Sequence, residues 1–569
     1  MDTENLRECQ KAIYSQSYGD FIVDYYMNVE SLKESFNITC LQEVEGRFQL
    51  AYAPNINNSA TDIVKNGYRS IPKLYGLMDT SNIEESGIYR IRRLPYLDLL
   101  GQGVLIGIID TGIDYENPLF INADNTSRIR SIWDQTIQTG NTPANILYGT
   151  EYTKEEIDDA LQNSTPSSIV PTTDENGHGT FLAGVIAGNE DLANDFTGIV
   201  PQAELVVVKL KPAKDYLRDF FGVKEGAVAF QENDIMMAIR YLIDQSVKFD
   251  KPISICIGLG SNSGDHDGVS PLSTYLDTLA NLNGVCISAA AGNEGDSDKH
   301  YQGDIAYNTF EDVEIDVGPN DKKLTMELWS VAPSLFSVAI ISPSGELAEK
   351  IPARANLSVK VTFVLEPTTI NVTYGVTDIA SGNEVIIIQF QDMVPGIWRI
   401  RVYNEYTVGT VYNIWMQISQ FITEDTKFLL PTPYITLVET GTTSKVISTT
   451  AYNHTNNSLY LDSSRGYTLS GRIKPDITSP GVNIYGPVGR NEFGVRSGTS
   501  IAAAHTAGIG AIFLQWGLVE KNRTAMNTSE IKSILIKGAT RTDRTYPNRD
   551  WGYGTINAFQ AFESLRMKV

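Results

Sequence analysis

The chain has 569 residues, with 68 acidic against 45 basic side chains and a net charge of -23. That length asks for two or three domains, and that charge argues against nucleic acid and anionic membrane as partners. Hydrophobic residues make up 42%, enough for globular cores, and no run of 18 apolar residues predicts a membrane span.

Residues 1–70 read as a small α+β unit. Residues 21–26 have strand composition, 29–36 are a short helical candidate, and 47–53 alternate as a strand does. The N-terminus lacks a basic region followed by an apolar one, so no signal peptide and a cytoplasmic location are expected. Cys9, Cys40, Cys256 and Cys286 have neither disulfide-framework nor zinc-ligand spacing and are read as reduced, mostly buried thiols.

From about residue 100 the pattern becomes βα alternation. Residues 104–109, 205–210, 253–257 and 284–291 are apolar runs of buried-strand length, and 232–243 place apolar residues at i, i+4, i+7 and i+8, as an amphipathic helix does. This predicts an α/β fold, a doubly wound parallel sheet with its site at the carboxyl ends of the strands. From about residue 305 the helical signal stops. Alternating runs at 324–329, 336–341, 359–364, 384–390 and 397–403 predict an all-β sandwich or jelly roll. The α/β pattern resumes at 434–438, so residues 306–429 are read as an insertion into a unit made of 71–305 and 430–569.

Three motifs carry chemistry. Asp110 ends an apolar run in Ile-Ile-Asp-Thr-Gly, His178 lies in Asn-Gly-His-Gly-Thr, and Ser500 lies in Gly-Thr-Ser-Ile-Ala before an Ala-rich helical stretch. A serine hydroxyl is a weak nucleophile until a positioned base takes its proton. His178 is the candidate base and Asp110 the group that orients it. Singly, each has a bland reading as a helix cap, a core histidine or a turn; together and in this order they point to an acyl-transfer site. Asn293, in Ala-Ala-Gly-Asn-Glu-Gly, follows another strand and can donate to an oxyanion together with the Ser500 N–H.

These motifs resemble the subtilisin-like serine proteases (subtilases, S8 type) over most of residues 70–305 and 430–565, including the Lys474-Pro475-Asp476 segment ahead of the nucleophile. The resemblance implies a serine endopeptidase with Asp110, His178 and Ser500 as triad and Asn293 as oxyanion donor. It also makes Gly258-Leu259-Gly260 the strand that pairs with an extended peptide substrate. It implies no cofactor and no metal at the site; calcium stays open, since no D-x-[DN]-x-[DN]-G loop occurs. Two positions depart from the pattern: Ala504 stands where the family usually has Pro, and Ile501 where it commonly has Met. The short N-terminal unit and the inserted sandwich further resemble the clostridial Csp-type subtilases. That resemblance implies residues 1–70 as a prodomain that stays bound to the cleft and self-cleavage between Ala51 and about Leu77. It also implies activation of a zymogen such as a spore cortex-lytic enzyme, and packaging in the spore of a Gram-positive anaerobe. Glu294 is read as an exposed acid with a modest pull on basic P1 residues.

The alternative from another class is a latent or non-cleaving regulatory protein whose cleft is blocked by its own prodomain. A lipase-like hydrolase is set aside: its nucleophile elbow, G-x-S-x-G, precedes Asp and His in the chain.

Overall fold

The computed structural model describes residues 3–24, 38, 40–45, 48–54, 67–77, 86, 88–92, 98–355, 357–375, 377–406, 408–542 and 544–566. Its centre is a sheet with strand order Ser458–Leu459, Ile447–Asn453, Val285–Ala290, Ile253–Ile257, Leu105–Asp110, Glu204–Lys209, Ile129–Asp134, Thr150–Thr153. The six from Ile447–Asn453 to Ile129–Asp134 are mutually parallel, and Ile477–Pro480 joins Ile447–Asn453 in parallel. The Val, Ile and Leu of these strands are buried on both faces, which is why they read as unbroken apolar runs.

Helices cover both faces. Glu232–Phe249 and Pro271–Leu279 share one apolar cluster with the sheet, and His178–Ala187 and Thr499–Leu514 another. The last passes through the core, where the small residues Ala502–Ala504 and Ala507 are buried and Gly510 lets the helix approach Cys286 and Ser254 of the sheet. Ser254 and Ser288 donate from the sheet to its carbonyls at Ala507 and Ala503. By length and composition Thr499–Val519 is apolar enough to cross a membrane, yet 89% of its most apolar 18-residue stretch is buried in the protein.

The insertion is two antiparallel sheets, one of six strands between His300–Asp304 and Ser358–Thr362, one of five between Leu347–Ile351 and Lys427–Phe428. They enclose their own core, with Trp398, Phe390, Met326 and Phe336. Trp415 packs with the α/β cluster instead, its ring stacked with those of His266 and His300 at centroid distances of 3.9 and 4.7 Å.

The N-terminal segment forms the helix Thr3–Tyr14 and a three-stranded sheet, Tyr18–Asp24, Phe48–Pro54 and Cys40–Glu45. The candidate helix at 29–36 lies outside the described residues. Cys9 and Cys40 are disulfide-bonded, tying that helix to the sheet, while Cys256 and Cys286 are free and buried. The expectation of four reduced thiols is therefore corrected for the first pair; folding brings together two cysteines 31 residues apart. Residues 434–438 lead the chain back into the α/β unit without forming a strand: Thr436 N–H donates to Arg465 O at 3.0 Å and Val438 N–H to Ala291 O at 2.9 Å. The parallel ladder resumes only at Ile447.

Candidate active site

Ile257 pairs in register with Ile109 on one side and Ala289 on the other. The three neighbouring strands therefore end level, and deliver Asp110, Gly258 and, after a short turn, Asn293 to one place. Two helix N-termini meet them there: His178 opens the helix His178–Ala187, and Ser500 is the second residue of Thr499–Leu514.

His178 Nδ1 lies 2.8 and 2.9 Å from the two oxygens of Asp110, and Nε2 lies 3.2 Å from Ser500 Oγ. An Nδ1–H donated to Asp110 leaves Nε2 free to accept the serine proton, the polarity a general base needs. Asp110 is fixed in turn by the Thr111 N–H at 2.8 Å. Asp174 accepts from the Thr111 hydroxyl at 2.7 Å and from the N–H groups of Gly177 and Thr180 at 2.9 and 2.8 Å. It thus caps the helix that begins with His178.

Asn293 Oδ1 accepts from the Thr499 N–H at 3.1 Å and its hydroxyl at 2.9 Å. With the oxygen so held, the Nδ2 is the donor left for an oxyanion beside the N-terminus of the Ser500 helix, whose dipole favours negative charge. Gly258 lets the strand end and the two helices meet closely: a Cβ there would lie 3.1 Å from Ser500 Cβ and 2.9 Å from Leu182 Cδ1 and would press on both. His505 is fully buried, and burial pushes its pKa to about 3, so it stays neutral and apart from the chemistry.

Leu259 and Gly260 already carry a partner. Leu77 pairs antiparallel with Leu259 and Gly76 with Gly260, while Leu74 and Tyr75 pair with Gln231 and Phe230 on the other side. The strand Leu74–Leu77 thus fills the gap between two edge strands and runs toward Ser500. Glu294 is corrected: it is 3% exposed, not a surface acid, and its carboxylate accepts from the N–H and hydroxyl of Ser419. Among the described residues no group of three His, Cys, Asp or Glu is placed to hold a metal ion.

The sequence motifs did not single out Thr499, Asp174 or the strand Leu74–Leu77. Thr499 was visible as the middle residue of Gly-Thr-Ser; Asp174 and Leu74–Leu77 carry no local signal.

A family model described as the subtilase family (peptidase S8) matches residues 101–349 and 379–554. The chain belongs to the subtilase family. The solved structure of the Clostridium perfringens CspB protease is similar to this subtilase, with a TM-score of 0.76 and 31% identity, covering 85% of this chain and 96% of that one. C5a peptidase of Streptococcus pyogenes (serotype M18) is 22% identical over 489 residues, 81% of this subtilase. The chain spans about 40% of the length of that relative. The major intracellular serine protease of Bacillus subtilis (strain 168) is 24% identical over 283 residues, 48% of this chain and 69% of that protein.

Proposed function

We propose that this subtilase is a serine endopeptidase that cuts its own N-terminal segment and keeps it docked. The observation that carries the reading is the hydrogen-bonded series Asp110–His178–Ser500 facing a cleft already filled by Leu74–Leu77. Ser500 Oγ attacks the scissile carbonyl carbon as His178 Nε2 takes its proton. The tetrahedral oxyanion accepts from Asn293 Nδ2 and the Ser500 N–H. His178 then returns the proton to the leaving amine, and water, activated by the same imidazole, hydrolyses the acyl-enzyme.

The register suggests the bond. Leu77 faces Leu259, and one step further along the partner strand is Gly258, against Ser500. Counting on by one in the sequence makes Met78 the acyl residue and Met78–Asp79 the bond, one residue beyond the expected window. Retention of the cut segment is supported by Asp20, buried against Lys214 Nζ at 2.5 Å and Gln231 Nε2 at 2.9 Å. Residues 1–78 then serve as prodomain, and 306–429 as the inserted jelly roll. Zymogen activation, as of a spore cortex-lytic enzyme, is the physiological role that the Csp-type resemblance implies.

A second reading, a latent regulator, is favoured by the same filled cleft. Labelling with a fluorophosphonate separates the two. An accessible, activated serine is labelled in the wild type and not in Ser500→Ala; a wild type that neither labels nor self-cleaves favours the latent form.

A further inference from the structure

The six-stranded sheet of the insertion returns to the α/β unit after Met416, and the returning chain crosses the cleft. Ile418 and Phe421 are fully buried, in the apolar cluster that also holds Ile501 and Ala503. The crossing is pinned at both ends. The Glu294 carboxylate, next to Asn293, accepts from Ser419 N–H at 3.1 Å and its hydroxyl at 3.0 Å. At the other end Lys224 donates its N–H to Phe421 O at 2.8 Å and its Nζ to Ile422 O at 3.0 Å. Between them Phe421 N–H closes a turn onto Ile418 O at 2.8 Å.

Under this crossing lies Gly76. A Cβ there would fall 2.5 Å from Ile418 Cδ1, 2.7 Å from Gln420 Oε1 and 3.4 Å from Phe421 Cε1. The positions before it are different: Leu74 and Tyr75 both bury whole side chains. A methyl at residue 76 must displace the ends of Ile418 and Gln420, the first fully buried and able to give only into a packed core, and a branched or aromatic side chain must displace both further.

We infer that residues 418–421, supplied by the insertion, form the wall of the third subsite and restrict substrates to glycine there. The favoured substrate is an extended segment with glycine three residues before the cut and a large aromatic side chain one residue earlier, as Tyr75-Gly76 in cis. The inserted sandwich thereby sets specificity as well as being packed on the enzyme. The inference rests on reading Leu74–Leu77 as a substrate-like occupant.

The test compares self-cleavage of the full chain with Gly76→Ala and Gly76→Val, each alone and combined with Ile418→Ala and Gln420→Ala. Overpacking of this kind slows cleavage by about 10-fold for alanine and 100-fold or more for valine, and the opened wall recovers most of the loss. Fluorogenic peptides of residues 73–82 bearing Gly, Ala or Val at position 76 are given to the wild-type enzyme. They report the same order in kcat/KM without depending on how the variants fold. Where the docked segment excludes the peptides, the cis series decides. Equal cleavage of the glycine and valine forms, or no recovery on opening the wall, overturns the inference and leaves the protease reading standing. A wild type that cuts neither itself nor any peptide overturns both.

Discussion

Gly76 faces Gly260 across an antiparallel pair, two residues along from the Gly258 that abuts Ser500. The N-terminal segment is therefore bound by strand addition, in which backbone groups supply affinity and alternate side chains supply selectivity. On the self-cleavage proposal, a chain that threads its own strand past its nucleophile presents a substrate at very high effective concentration.

Asn293 and Thr499 act as a pair. Asn293→Ala lowers kcat by about 10²–10³, the loss known for the equivalent donor in subtilisin. Thr499→Val removes the hydroxyl that holds the amide and keeps only the backbone N–H contact, loosening the donor without removing it, and lowers kcat by about 10-fold with KM nearly unchanged. Steady-state kinetics on a peptide substrate separate the two; a Thr499→Val enzyme with only a raised KM contradicts the positioning role.

On the same proposal, the contact of Asp20 with Lys214 is what holds the cut segment in place. Both are almost fully buried, so Asp20→Ala strands a buried ammonium, at a cost of about 3–5 kcal/mol. The cut N-terminal fragment of the wild type co-elutes with the remainder in gel filtration, and that of the variant separates. Co-elution of both contradicts that role and leaves the packing of Phe48, Leu50 and Tyr52 in the apolar cluster shared with the α/β unit as the anchor.

Glu294 gives a pH dependence. Burial raises its pKa from 4.5 to about 7. The folded state then keeps a proton that the unfolded chain has lost between those values, so this group's contribution to stability falls as pH rises from about 4.5 to about 7. The fall is on the order of 3 kcal/mol and stays constant above that window. Glu294→Gln keeps an acceptor for Ser419 and removes the charge. Denaturant titrations at pH 5 and pH 8 show the smaller difference for the variant; identical differences contradict the assignment.

Ile501, fully buried beside Ser500, leaves no thioether at that position. Residual activity in dilute peroxide declines slowly for the wild type and faster for Ile501→Met, whose sulfur oxidises to a polar sulfoxide. Equal decline places the sensitive group elsewhere.

The α/β core and Asp110, His178, Asn293 and Ser500 were legible in the sequence because each sits at the end of a buried element, where apolar run and glycine-flanked turn are both local signals. The insertion was legible through the change of period from helical to alternating. What escaped depends on contacts across long separations. Cys9–Cys40, the strand Leu74–Leu77 against Leu259 and Gly260, and the crossing over Gly76 join residues that only the fold brings near. Glu294 misled because a lone acid after a turn reads as exposed, while its partner Ser419 stands 125 residues away in the insertion.

The most direct test of the account is the intact mass of the purified chain beside Ser500→Ala. The account predicts a wild type divided between Met78 and Asp79 and a variant left whole. A wild type that remains whole, or a variant divided at the same bond, contradicts it.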